Sequence, residues 1–299
     1  MTTTASAPTG TSPARAELGE LIHAASGGML FGIPLLYTME VWWTGSRSHP
    51  LVSLLVLVAL WAALIVLNKT EGFRRRRDTS LIAATRDAVI SLAVGIVLTF
   101  VVLVLLRQIT PDVPIGAIGG MVVYESVPFC LGIGVARHLL RGSRAGTDED
   151  GDSDDEGGDG DREGAAEHPV NVTLADLGAT AIGATFVAVT IAPTDEVSQL
   201  AAGLDPGWLI ALIGATLVTS YGIVFAAGFT GQDARHEQAG LLQAPLTETV
   251  VAYLLSLVVA FVLLWLFQRA DGPWTEMLDR VIVLGLPAAI GGAAGRLVA

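Results

Sequence analysis

One cysteine, one lysine and few charges of either sign set this chain apart. The single Cys130 excludes an intramolecular disulfide framework and a multi-cysteine zinc site. Charged residues fill 15% of the 299 positions, against roughly 25% in ordinary soluble domains. No P-loop, G-x-S-x-G, H-E-x-x-H or dinucleotide fingerprint is present, so the sequence names no catalytic residue and no cofactor. What it has instead is a 52% hydrophobic composition, gathered into long blocks with a mean hydropathy of +0.60. These features argue against a soluble domain, a nucleic-acid binder and a disordered chain. An all-α, polytopic membrane protein remains, with the lipid bilayer as its first partner.

The net charge of −12 is unevenly spread. Between Asp148 and Glu167 stand eleven carboxylates and one Arg162, a local charge of −10 that leaves −2 for the rest. This Gly/Asp/Glu run has no apolar periodicity and reads as a disordered linker. It lacks the ligand spacing of an EF-hand. Sixteen arginines stand against the one Lys69. Arginine in place of lysine, with acidic exposed segments, fits a halophile, whose surface charges are screened within a few ångströms; a GC-rich genome gives the same bias.

A helix needs about 20 mostly apolar residues to cross the hydrocarbon. Eight such stretches are predicted, near 19–43, 50–68, 87–107, 117–140, 172–193, 207–229, 247–268 and 280–298. Residues 1–17 form a polar tail without the basic and apolar regions of a signal peptide. With the N-terminus inside, thirteen basic residues, among them the Arg74–Arg77 run, fall on the cytoplasmic side and four outside. The chain is therefore expected in the plasma membrane with both termini cytoplasmic. Trp42 and Trp43 are expected at the outer interface.

The halves of the chain resemble each other. A shift of 156 places Leu18, Leu21, Ala25, Gly27, Thr38, Glu40, Val41 and Pro50 on identical residues, and Glu20 on Asp176. The third and seventh spans align at 162, and the fourth and eighth at 159, which pairs Pro128, Gly132 and Arg137 with Pro287, Gly291 and Arg296. An even number of spans per unit makes the repeats parallel. The expected domains are a tail (1–17), a first four-helix repeat (18–141), an acidic cytoplasmic linker (142–169) and a second four-helix repeat (170–299).

Two stretches carry a family resemblance. Gly28-Met-Leu-Phe-Gly-Ile-Pro-Leu-Leu-Tyr-Thr-Met-Glu-Val-Trp-Trp43 resembles the opening of a prokaryotic, haloarchaeal-type family of integral membrane proteins of unknown function. Ala192-Pro-Thr-Asp-Glu-Val197 is similar to its second signature. The resemblance implies eight helices and inner-membrane residence, and no ligand.

Glu125 is the sharpest candidate site. It lies twelve residues from Arg137, about 18 Å along a helix and near the bilayer midplane. A carboxylate there costs several kcal/mol unless protonated, paired or wetted. Tyr124 and Ser126 bring hydroxyls, and Pro128 frees a carbonyl one turn earlier. Either the group serves as a proton or cation site, or it is a neutral buttress against another helix. Its repeat mate is Leu284. Glu40 and Glu196, with Asp195 beside the latter, read either as a carboxylate ring drawing cations to an outer mouth or as solvated helix ends. His23, one turn from Glu20, could pair with it to relay protons or simply sit at the interface. Glu248 and Asp87 open cytoplasmic helix starts, where a carboxylate complements the helix dipole.

The expected function is passage of a small cation or proton between two pseudo-symmetric halves. Rival readings are a non-transporting scaffold or sensor, and an intramembrane metal enzyme built on Glu40, Asp195, Glu196 and His23. A homo-oligomer is compatible with the sequence.

Overall fold

A computed structural model describes residues 13–70, 81–144, 169–227 and 244–298. The polar tail through residue 12, the Arg74–Arg77 run, and most of the acidic linker lie outside the described residues. All regular structure among those described is helical: α1 (Pro13–Leu36), α2 (Met39–Arg47), α3 (Pro50–Thr70), α4 (Leu81–Leu105), α5 (Ile115–Arg144), α6 (Pro169–Ala188), α7 (Glu196–Ala202), α8 (Pro206–Tyr221), α9 (Pro245–Leu266) and α10 (Trp274–Val298). A π-helical turn, Gly222–Ala226, prolongs α8.

Proline and acid punctuate these starts. Pro50, Pro206 and Pro245 each open a helix, where a missing N–H costs nothing. The Asp205 carboxylate caps α8 by accepting from the Gly207 and Trp208 amides, both at 3.1 Å. At the other end, α4 and α9 close on left-handed residues, Arg107 (φ 54°) and Gln268 (φ 57°). The amides that follow reach back to Leu103 and Leu264, so the last carbonyls are satisfied without a glycine.

Among the described residues, seven helices are long and apolar enough to cross a membrane, and the eighth expected span is not matched by an eighth such helix. The stretch predicted at 172–193 is helical only to Ala188, and its apolar part, Thr173–Ala188, is short. A chain of turns carries residues 189–195 to α7 instead. The first predicted span, 19–43, is likewise broken at Tyr37–Thr38, with α2 turning off as a separate helix. The shared Thr-x-Glu-Val motif therefore marks the start of two short helices, with Glu40 and Glu196 in their first turns, where the helix dipole favours a carboxylate.

Two helices organise the packing. α5 packs against α1, α2, α3 and α4, while α10 packs against α6, α7, α8 and α9. Glycine lets the backbones touch. A Cβ added at Gly132 would stand 2.6 Å from the Gly27 carbonyl oxygen and 2.9 Å from the Phe31 Cβ. Gly291 meets the Gly183 carbonyl in the same way where α10 crosses α6. Gly132→Val is expected to destabilise the protein by about 1–3 kcal/mol or more, read as a lower thermal midpoint in detergent, whereas valine at open Gly214 is expected to leave it nearly unchanged. The outward faces of α3, α4 and α9 carry large exposed apolar side chains, among them Leu55, Val97 and Val258.

The two groups of helices meet chiefly where α1 packs on the π turn and on α10. Below, the near face is the end of the bundle where α1 begins, and the far face is the end carrying α2 and α7.

Candidate functional site

Glu125 is fully buried, and neither carboxylate oxygen has a hydrogen-bond partner among the described residues. Its level follows from the contacts on either side of it. Gly120 meets Gly45 of α2, and Phe129 lies over Gly32 of α1. Glu125 falls between those contacts along α5, so it stands level with the α1–α2 break. Met121 and Phe129, one turn to either side, are buried in the apolar core. A carboxyl in such surroundings is tolerated as the neutral acid or beside a cation, since an isolated charge there is strongly disfavoured.

The neighbouring hydroxyls do not serve it. Ser126 is buried, but its Oγ donates to the Val123 carbonyl at 2.8 Å, within its own helix. Tyr124 is half-buried, next to the Gly45 contact.

The other candidates are dispersed. Glu40 is exposed on α2, and Glu196 is half-buried on α7. Asp195 is ion-paired with Arg269, which also donates to the Pro193 carbonyl at 2.7 Å. Its charge is thereby offset at the far face, which weakens a ring of three free carboxylates. His23 is buried at 4% exposure, and its Nδ1–H donates to the Ala227 carbonyl at 2.7 Å. That bond crosses from α1 to the end of the π turn. Glu20 stays exposed. Trp42, expected in an interfacial belt, is also buried, at 7% exposure. Trp43 is the exposed ring, with the Arg47 guanidinium 4.2 Å from its centroid.

Arginine and acid pair repeatedly at the far face. Arg107 donates to Asp205 at 2.6 Å, and Arg280 to Asp271 at 3.0 Å. The Arg280 hydrogen bond holds the exposed Asp271 carboxyl below the usual range. Exposed pairs of this kind contribute little to stability.

Two features escape a linear reading. Arg296, 3% exposed, forms an ion pair with Glu248, which is 14% exposed. The Arg296 guanidinium also lies 5.6 Å from the centroid of the Phe225 ring. This pair borders a small near-face pocket of about 20 Å³, together with Thr173, Asp176 and Thr180. A second near-face groove is lined by Glu20, Arg86 and Asp87. The available signal was opposite charge at the same end of two antiparallel helices. The second feature is Tyr37, whose hydroxyl donates to the Val283 carbonyl at 2.5 Å. Pro287, four residues on, has no N–H for that carbonyl, so the proline announces a vacancy that another helix fills.

Among the described residues, no three acids, histidines or cysteines converge as a metal site. With this geometry in hand, the comparison with known families decides the membership. The family model described as "Putative integral membrane protein (DUF2391)" matches residues 20–299. The chain belongs to that family. Residence in a bilayer as a multi-pass helical protein follows from that membership and from the seven spans, and the resemblance read from Gly28–Trp43 holds. No curated protein and no solved structure matches the chain.

Proposed function

We propose that this protein consists of two parallel four-helix repeats and passes protons across the plasma membrane, with Glu125 as the group that carries them. The repeat rests on coincident burial. Under the shift of 156, buried Ala24, Gly28, Gly32 and Leu36 fall on buried Thr180, Ala184, Ala188 and Ala192, and Leu60 and Leu64 fall on Thr216 and Ser220. Under 159, Glu125, Phe129 and Cys130 fall on buried Leu284, Ala288 and Ala289.

For α4 and α9 the buried positions coincide at 161, one less than the identities at 162 suggest. Ala88, Gly95, Thr99, Val102 and Leu103 then meet Thr249, Ser256, Ala260, Leu263 and Leu264, and the two left-handed caps coincide. In this register Asp87 falls on Glu248, just as Glu20 falls on Asp176. The Gly27–Gly132 and Gly183–Gly291 crossings are a further matched pair. In this reading α6, though short, is the eighth span. The near face is cytoplasmic, because the basic excess lies there and the far-face Arg107, Arg269 and Arg280 each have an acid partner.

The observation that carries the activity is the enclosed, unpartnered Glu125 carboxyl at the level of the α1–α2 break. An intramembrane acid kept without a structural partner is functional by default. A proton asks for one carboxyl and a transient water path, whereas a metal cation asks for several ligands, and among the described residues no three acids, histidines or cysteines gather. The proton is therefore the proposed species.

The test is proton flux in proteoliposomes under a pH gradient, followed with an internal dye. Flux above empty vesicles is expected, and its loss in Glu125→Gln. No flux, or flux indifferent to that substitution, overturns the proposal. A non-transporting scaffold or sensor is the second reading, favoured by one observation: Glu125 lines neither near-face cavity. It predicts that signalling or binding, not flux, depends on the acidic linker 148–167.

A further inference from the structure

The way the two repeats touch is one-sided, and that has a consequence for assembly. Building on the repeat reading above, a twofold axis would copy every contact: what α1 does to the second repeat, α6 would do to the first. The contacts are not copied. His23 of α1 donates to the Ala227 carbonyl, Tyr37 donates to the Val283 carbonyl, and the Ser26 Oγ stands 3.7 Å from where a Cβ on Gly222 would lie. Among the described residues α6, the mate of α1, makes no comparable contact with α3 or α5, the mates of α8 and α10. The interface is heterologous: one repeat offers its first helix, and the other offers the seam of its second and fourth spans.

A heterologous interface leaves one of each surface unused. The free first-helix surface is on α6, where Ile182 is 73% exposed although its mate Ser26 is only 5% exposed. The free seam lies between α3 and α5. There Leu131 is 40% exposed, whereas its mate Ile290 is 0% exposed. Val66, the mate of Gly222, is 59% exposed. Apolar exposure alone says little in lipid. What singles out these two surfaces is that the chain already joins their counterparts internally.

We propose that copies of this chain assemble head to tail in the membrane plane, α6 of one copy seated on the α3–α5 seam of the next. The occupant of each free surface is thus a second copy. Repeated application gives a ring of alternating first and second repeats where the rotation divides a full turn, and an open row otherwise.

The test is cysteine cross-linking of the full chain in native membranes, with unaltered protein as the control for Cys130. The mates of the Ser26–Gly222 contact are Ile182 and Val66. Under oxidation, the Val66→Cys/Ile182→Cys double variant is expected to give disulfide-linked multimers, and each single variant monomers. Ser26→Cys/Gly222→Cys is expected to close within one chain. Multimers from a single variant mean a symmetric contact and overturn the proposal. So does absence of multimers from the double variant; if Ser26→Cys/Gly222→Cys still closes, the contact between repeats stands and only the assembly falls. Mass measurement of unaltered protein released from membranes gives an independent reading: several chains are expected, and a single chain overturns the assembly.

Discussion

Glu248→Gln is expected to lower stability by about 3–5 kcal/mol, because it breaks a buried ion pair from one side. Arg296 is 3% exposed, and its carboxylate partner comes from the first turn of α9. Removing the negative charge takes from the guanidinium the carboxylate that offsets its desolvation and leaves the aromatic ring in place. Arg296→Met, the reverse truncation, strands a carboxylate that is less enclosed, so its cost is expected to be smaller. The informative variant is the double one. Glu248→Leu with Arg296→Met replaces the pair by apolar groups of similar size, and substitution of that kind is often neutral or stabilising. Thermal unfolding of the four proteins in one detergent measures the cycle. Equal losses in the single and double variants would show that the pair itself is not the source.

Glu125→Leu is expected to do the opposite to stability and to abolish proton flux. The carboxyl is fully buried with neither oxygen partnered, so its desolvation is not repaid. Leucine removes that cost, about 1–3 kcal/mol, and the matched position on α10 already holds the buried Leu284. A group that destabilises its surroundings and is kept for activity shows this trade. The measurements are the thermal midpoint and the vesicle flux of one preparation. A leucine variant that is less stable would mean that Glu125 has a partner holding its helix, which is the buttress reading. A stabilised variant with undiminished flux would remove Glu125 from the path.

Much of this was legible in the chain itself, for reasons that differ by residue. The place of Glu125 within a long apolar helix needed only the run of apolar residues around it. Burial of spans as helices needed only their length and apolarity. The break at Tyr37–Thr38 was hidden because neither residue is polar enough to interrupt an apolar run, and the turn is made by main-chain bonds such as Thr38 N–H to the Leu35 carbonyl. The burial of His23 and Trp42 against other helices was not legible, because side-chain type says nothing of which neighbouring helix covers a residue. The Glu248–Arg296 and Arg269–Asp195 pairs join residues 48 and 74 positions apart. Spacing within one helix cannot show them; only the packing of α9 on α10, and of the α9 end beside α7, brings them together.

The glycine crossings have a mechanical corollary. Within each group of helices, main chain rests on main chain at the glycine crossings, so α1 on α5 and α6 on α10 have no side-chain layer to yield there and cannot slide past one another without collision. Between the groups, two of the described polar bonds end on carbonyls, His23 on Ala227 and Tyr37 on Val283. Compliance is therefore expected at that joint, with α1 as the hinge pin between two stiffer blocks.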